Sequence, residues 1–147
     1  MYYQWDEAKR CVNIIKHGVD FREIYNFDWE TSLREESVRD GEIRYRAYGF
    51  IGARLHAVVY TEREVYTRII SLRKANDKEF DSMPPLKPGA LRPTLEENEA
   101  INRGIAADLD NPEATAEDFA RMRPMTEAAP ELVARYRAEK ARKARKV

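Results

Sequence analysis

Near the start of the chain, apolar side chains recur at the spacing of an α-helix. One such set lies between Asp6, a predicted N-cap, and Gly18, a predicted C-cap: Ala8, Cys11, Val12 and Ile15. This set predicts a first helix with an apolar face on which Cys11 is buried. A second helix is predicted to begin at Asp20, because Glu23 stands three residues later in a capping-box pattern.

From Ser32 onward the apolar period changes to two, which is typical of strands. Three such runs predict three strands: residues 43–48, 55–59 and 64–73. The connections between the runs are short, which favours antiparallel pairing. A short helix is expected from Lys74. The sequence therefore predicts an α+β fold with two N-terminal helices and an antiparallel sheet.

Residues 83–93, MPPLKPGALRP, contain four prolines and a glycine and cannot sustain a helix or a central strand. They are interpreted as a linker between a first region, residues 1–82, and a second region, residues 94–147. Both tryptophans and seven of the eight tyrosines precede the linker. The first region therefore has the composition of a folded domain, whereas the second is expected to form helices with little core of their own.

The chain has 26 basic and 26 acidic residues, so its formal net charge is zero. This balance excludes a globally basic nucleic-acid-binding protein, although it leaves room for local patches. The charges are also unevenly placed. Residues 94–131 carry ten acids against three arginines, and residues 132–147 carry seven bases against one acid. The second region is thus acidic first and basic at its end.

A single cysteine excludes a disulfide framework and a cysteine-built zinc site. There is no apolar run of membrane-spanning length and no leader pattern, so we expect a cytoplasmic protein without a membrane partner. Phosphate-loop, dinucleotide, zinc-protease and hydrolase motifs are also missing. The chemistry must therefore come from another kind of site, for which no cofactor or metal is expected.

Cationic side chains are grouped on the first helix and the last strand of the first region. The strongest candidates for catalysis are Lys16, His17, Arg68, Arg73 and Lys74. Weaker candidates for RNA binding are Lys9, Tyr60 and Arg63. If the first helix packs beside the last strand, these cations converge and can bind a phosphodiester. Cleavage of RNA needs a base, a cation that stabilises the phosphorane and an acid for the leaving oxygen.

Each of these side chains also has an ordinary structural interpretation. Lysines and arginines at strand ends are commonly solvated, and His17 is suited to the end of a helix. His56 lies in the middle of a predicted strand and is expected to be structural. The identity of the general base stays open on the sequence alone. A non-catalytic binding module is the alternative to an enzyme.

Two longer stretches carry a resemblance to a known family. WDEAKRCVNIIKHGVDF, residues 5–21, and VVYTEREVYTRIISLRKANDKE, residues 58–79, resemble the opening and closing segments of BrnT-type toxins. These toxins are small RelE-like ribonucleases of bacterial toxin–antitoxin systems. The resemblance implies a compact α+β domain over residues 1–82 that cleaves RNA without a metal and thereby inhibits translation.

The second region resembles the neutralising part of a BrnA-type antitoxin. The similarity covers residues 93–133 and includes the stretch DNPEATAEDF. It implies a toxin–antitoxin fusion in which residues 94–147 hold the ribonuclease inactive, within one chain or swapped from a second chain. The apolar residues expected to anchor this interface are Leu95, Ile101, Ile105, Phe119 and Met122.

Antitoxins of this kind continue into a ribbon-helix-helix domain that binds DNA. Only ARYRAEKARKARKV follows Val133, so we expect no such domain and no sequence-specific DNA binding. A monomer or a swapped dimer is expected. The sequence leaves open whether the fusion is natural or engineered, and which RNA sequence is cleaved.

Overall fold

The computed structural model describes residues 1–84 and 86–145. Within these residues, one sheet has the strand order β1-β5-β4-β3-β2-β6. The strands are β1 (Tyr3–Gln4), β2 (Leu33–Arg39), β3 (Glu42–Ile51), β4 (Arg54–Glu62), β5 (Thr67–Lys74) and β6 (Arg123–Pro124). The helices are α1 (Glu7–His17), α2 (Asp77–Ser82), α3 (Leu95–Ala106), α4 (Ala116–Arg121), α5 (Met125–Ala128) and α6 (Pro130–Arg145). The α+β class is confirmed, but the sheet is mixed because β1 pairs in parallel with β5.

The first helix forms between the predicted caps. The Asp6 side chain accepts from the Lys9 backbone N–H, and Gly18 ends α1 at a φ of 67°. The predicted apolar face is wrong, however: Ile15 is 84% exposed and Cys11 is exposed, whereas Asn13 is buried.

The reason is that α1 lies along the edge of β5, beyond the two residues of that strand that pair with β1. The Asn13 amide donates to the Leu72 carbonyl oxygen at 2.7 Å, and its carbonyl oxygen accepts from the Leu72 N–H at 3.2 Å. A strand edge leaves backbone groups that need partners, so a polar residue faces the sheet here.

The second predicted helix is a 3₁₀ helix, Phe21–Asn26, rather than an α-helix. The side chain of its N-cap, Asp20, accepts from the Arg22 N–H instead of the Glu23 N–H. The expected capping box with Glu23 therefore does not form. Side chains three residues apart eclipse in a 3₁₀ helix. Phe21 and Ile24 consequently point the same way, and both are fully buried.

The three predicted strands correspond to β3, β4 and β5, which pair antiparallel as expected. In β5, Ile69 lies opposite Tyr60 and Ser71 lies opposite Val59, which leaves Ile70 without a partner. Such a bulge shifts the alternation of the strand. Ser71 therefore lies in a row with Val59 of β4 and Arg46 of β3.

Both faces of the sheet are covered. On one face, Trp29, Val58 and Leu72 pack with apolar residues from beyond the linker, namely Met125, Leu132 and Val133. On the other face, Tyr48, Phe50 and Phe80 pack with Phe119 and Met122. The second region thus shares both apolar clusters with the first region instead of forming a core of its own.

Candidate functional site

Four arginines on the face of the sheet that carries Tyr48 contact the second region. They come from three strands and are called the arginine face below: Arg39, Arg44, Arg46 and Arg73. Strand alternation places Arg44 and Arg46 on one side of β3, and Arg39 lies opposite Glu42 on the same side. Of these four arginines, only Arg73 was predicted from the sequence to belong to the site. The alternation of Arg44 and Arg46 with apolar residues indicated that both lie on one face of a strand, but not what that face contacts.

A short stretch from the second region lies over the arginine face. It comprises residues 108–113 and is called the covering segment. The Asp110 Oδ1 atom accepts from Arg39 Nη1 at 2.6 Å and from Arg44 Nη1 at 3.0 Å. The Pro112 carbonyl oxygen accepts from Arg46 and, at 3.0 Å, from Arg73 Nη2. All four arginines therefore donate to the covering segment.

His17 meets the same segment at the end of α1. Its Nε2 lies 2.8 Å from the Asp108 Oδ2 atom, and Ser71 Oγ donates to that oxygen at 2.8 Å. Burial alone would raise the pKa of Asp108, but the hydrogen bonds from His17 and Ser71 outweigh burial and lower the pKa to about 2. Asp108 is therefore ionised at neutral pH, and it is held by donors from two elements of the first region.

Arg73 lies at the centre of a buried polar network. Its guanidinium donates to the two Glu79 carboxylate oxygens at 2.8 and 2.9 Å, and the Tyr48 hydroxyl donates to Glu79 at 2.5 Å. The Asn111 carbonyl oxygen accepts from Arg73 Nε at 3.0 Å. The Ala114 N–H donates to Glu79 at 2.9 Å. The covering segment and the residue after it thus complete a network that begins in the first region.

The pKa values in this network favour the charged forms. Burial would lower the pKa of Arg73, but the neighbouring Tyr48 and Glu79 more than offset burial and raise it. Burial would likewise raise the pKa of Glu79, yet the hydrogen bond and charge of Arg73 lower it. The pair is therefore a fixed ion pair, and Glu79 is a poor proton acceptor near neutral pH.

A third acid of the second region contacts cations where β4 begins and β5 ends. The Glu97 carboxylate of α3 accepts from Arg54 Nη2 at 2.7 Å and lies 3.7 Å from Lys74 Nζ. Packing between α3 and α1 is close here, because a Cβ on Gly104 would stand 2.5 Å from the Lys16 carbonyl oxygen. His17, predicted from the sequence, is thus covered by α3 and the loop that follows it, whereas Lys74 contacts Glu97 with its side chain still 36% exposed.

Lys9 and Lys16 border a cavity of about 240 Å³ between α1 and the covering segment. Asn13, Ile70, Asp108 and Asp110 also line it. Asp108, which contacts His17, forms part of its wall. The two lysines therefore border the same cavity as the carboxylates of Asp108 and Asp110.

Three other predicted residues lie away from His17. Arg68 is six residues from Lys74 along β5, roughly 20 Å, and donates to Gln4 instead. Arg68 and Lys74 are therefore too far apart to bind one phosphate together, and the catalytic role of Arg68 stays a prediction. Arg63 donates to Glu42 at 3.0 Å. Tyr60 has no exposed surface and packs against Trp29, so its ring is not accessible to RNA in this conformation.

The predicted apolar anchors behave differently from one another. Phe119 and Met122 are buried, and the Phe119 ring lies 4.7 Å from the Tyr48 ring. Ile101 lines the groove between α1 and α3, and Ile105 is partly buried. Leu95 is 85% exposed, so its assignment as an anchor is wrong. Polar contacts from the covering segment were missed because their partners lie far away in the chain.

His56 is buried beside Lys74. Burial lowers the pKa of His56 to about 4, and its neutral ring donates from Nδ1 to the Arg54 carbonyl oxygen. This is a structural role. Among residues 1–84 and 86–145, no three His, Cys, Asp or Glu side chains are grouped so that they could hold a metal ion. None of the helices in these residues is long and apolar enough to cross a membrane.

The site thus brings a histidine, a serine hydroxyl and several guanidiniums to one surface, which can bind phosphate and transfer protons. A comparison with protein families gives a match over residues 5–79 to the family described as "Ribonuclease toxin, BrnT, of type II toxin-antitoxin system". The match defines a toxin of a type II system. The chain belongs to the BrnT family of ribonuclease toxins. A comparison with curated proteins finds no match.

Proposed function

We propose that the chain is a toxin–antitoxin fusion that inhibits its own ribonuclease. Residues 1–82 are the metal-independent endoribonuclease, which cleaves RNA and so stops translation. Residues 94–147 are a BrnA-like segment that holds the enzyme inactive. The family match ends at residue 79, so it supports the first half of this proposal and leaves the second half to the contacts of the chain.

One observation carries the proposal: the Asp108 carboxylate is bonded to both His17 and Ser71. A carboxylate is an anion that accepts hydrogen bonds, as a phosphate does. It occupies the donors that a scissile phosphate would need. RNA and Asp108 therefore compete for the same side chains.

The residues of the first region can divide the reaction among them. The 2′-hydroxyl loses its proton and attacks the adjacent phosphorus, a 2′,3′-cyclic phosphate forms, and the 5′-oxygen leaves with a proton. His17 exchanges a proton with one of these oxygens, because a histidine can donate or accept near neutral pH. Water exchanges the proton of whichever oxygen His17 does not serve. Arg73, Lys16 and Lys74 stabilise the charge that develops on the phosphorane. Lys9 and Arg63 bind the strand on either side.

Inhibition within one chain is aided by the linker. The Leu91 N–H donates to the Ala53 carbonyl oxygen at 2.9 Å, which holds the linker on the first region. A covalent connection of this length raises the local concentration of the inhibitor to roughly millimolar. Opposite charges on Asp108, Asp110 and the arginine face further favour the covered state.

The test uses the full-length chain, since both regions share the core. Replacing both Asp108 and Asp110 by Ala should raise RNA cleavage in EDTA at least tenfold, because removing one partner of a buried charge pair costs about 2 kcal/mol or more. Glu96→Ala with Glu99→Ala removes two exposed acids of α3 and should leave cleavage unchanged. The double variant Asp108→Ala with Asp110→Ala is called the opened variant below. Adding His17→Ala to the opened variant should lower cleavage about 100-fold.

Four results would contradict the proposal. Wild-type protein as active as the opened variant would refute inhibition. Cleavage that needs added metal, or that survives His17→Ala, would refute the assigned chemistry. An opened variant that binds RNA without cleaving it would instead support a non-catalytic binding module.

A further inference from the structure

The covering segment places two carboxylates on two separate groups of cations. Asp108 meets His17 and Ser71, whereas Asp110 meets Arg39 and Arg44. Only one residue lies between the two acids, so their Cα atoms are no more than about 7 Å apart. The same number of backbone bonds separates these two Cα atoms as separates successive phosphorus atoms in RNA.

We propose that Asp108 and Asp110 stand in for two successive phosphates of the RNA, and that Arg39 and Arg44 form the subsite for the second phosphate. This inference rests on the proposed ribonuclease function and extends it to residues that the sequence analysis did not select. Ser71 then becomes a ligand of the reacting phosphate together with His17.

The contacts at Asp110 leave a hydrogen-bond donor of the two arginines unused. Arg39 and Arg44 both donate to the same Oδ1 atom of Asp110. The Arg44 Nε atom is buried and has no hydrogen-bond partner in the described part of the chain. A phosphate presents two non-bridging oxygens and can accept from both guanidiniums and from this additional donor.

The surroundings of the second subsite also fit a nucleic-acid strand. Glu42 is the acid of the first region that pairs with Arg44, at 3.8 Å, and it is shared with Arg63 at 3.0 Å. Arg63 is thus positioned beside the second subsite rather than beside His17. Without the covering segment, Arg39, Arg44 and Arg63 would face one carboxylate, which leaves net positive charge for an anion.

The experiment measures binding separately from cleavage. The probe is a fluorescein-labelled single-stranded RNA of twelve nucleotides whose 2′-hydroxyls are methylated, so that it cannot be cut. It is titrated against the full-length opened variant, Asp108→Ala with Asp110→Ala. Adding Arg39→Gln and Arg44→Gln should weaken binding at least tenfold. It should also reduce the slope of log affinity against log salt by about 0.7, the value for one phosphate of a single strand.

The control variant removes the same amount of positive charge from a different surface of the protein. Arg22→Gln with Arg137→Gln removes two exposed arginines on the opposite side of the sheet, and it should leave both affinity and slope unchanged. A second pair, Arg39→Lys with Arg44→Lys, keeps the charge and should bind with intermediate affinity. Thermal melting of each variant confirms that it is folded.

The outcomes distinguish a failure of the second subsite from a failure of the proposed ribonuclease function. If the Gln pair binds like the control while the opened variant still cleaves unmodified RNA, the second subsite is refuted and the proposed function stands. If the opened variant binds the probe through Arg39 and Arg44 but cleaves nothing, the subsites stand and the enzyme assignment fails. An opened variant that neither binds nor cleaves RNA overturns both.

Discussion

Gly104 of α3 packs directly on His17 of α1: a Cβ built on Gly104 would stand 2.6 Å from His17 Nδ1. Contacts this short do not occur for real Cβ atoms, and the Lys16 carbonyl oxygen blocks the same space. Only glycine lets the two helices approach so closely. This contact keeps the loop after α3, and with it Asp108, in place on His17.

Gly104→Ala is therefore expected to weaken the packing of α3 on α1 and, with it, the contact of the covering segment with His17. In an ordinary helix this change would stabilise by about 1 kcal/mol, so a fall in the melting temperature would be attributable to the clash with α1. We expect a fall of several degrees together with increased RNA cleavage by the full-length protein. Ala106→Leu adds bulk at an exposed position of the same helix and serves as the control. Unchanged melting and cleavage in Gly104→Ala would show that the approach of the helices does not matter.

Glu79→Gln tests the buried ion pair. Arg73 and Glu79 are 1% and 0% exposed, and removing one charge leaves the other buried without its partner. Such losses cost about 3–5 kcal/mol, which chemical denaturation can measure. Asp81→Asn removes an acid from the exposed pair with Arg92 and should cost less than about 1 kcal/mol. Equal losses for the two variants would contradict the assigned burial.

Acid should weaken the contact between Asp108 and its donors. The folded pKa of Asp108, about 2, lies below its ordinary value of 3.8, so its stabilising contribution is complete above about pH 4 and is lost as the pH falls toward 2. Asp108→Asn should therefore flatten the dependence of the unfolding free energy on pH between 2 and 4. Asp40→Asn, in the exposed turn between β2 and β3, should leave that slope as it is in the wild type.

Tyr60→Phe should leave RNA binding and cleavage by the opened variant unchanged. The Tyr60 ring is fully buried, and its hydroxyl has no hydrogen-bond partner among the described residues. Removing a buried hydroxyl that is not bonded is nearly neutral or stabilising, so the melting temperature should stay the same or rise slightly. A large loss of RNA binding in this variant would restore Tyr60 to the site.

Local sequence signals predicted the parts of the fold that local interactions determine. Asp6 and Gly18 bound α1 as expected, since capping depends on a few neighbouring residues. The orientation of α1 could not be predicted in this way. Asn13 faces the sheet because the edge of β5 needs hydrogen bonds there, and this requirement arises only once the strands have assembled.

The candidate site was likewise predictable only where its residues could be identified locally in the chain. His17, Arg73 and Lys74 were predicted from residue type and position, and each of them contacts the second region. Arg39 and Arg44 were missed because their partner Asp110 is 71 and 66 residues away. Residue spacing cannot indicate a contact over that distance, whereas the sheet brings the three residues together.

The shared apolar cluster has a consequence for the order of events on the ribosome. Met125, Leu132 and Val133 pack against residues of the first region such as Trp29 and Leu72. A nascent chain that has reached only the linker therefore has an incomplete core. At about 5–20 residues per second, the remaining side chains follow within seconds. The surface that carries His17 gains its full support only when the chain that covers it has also been made.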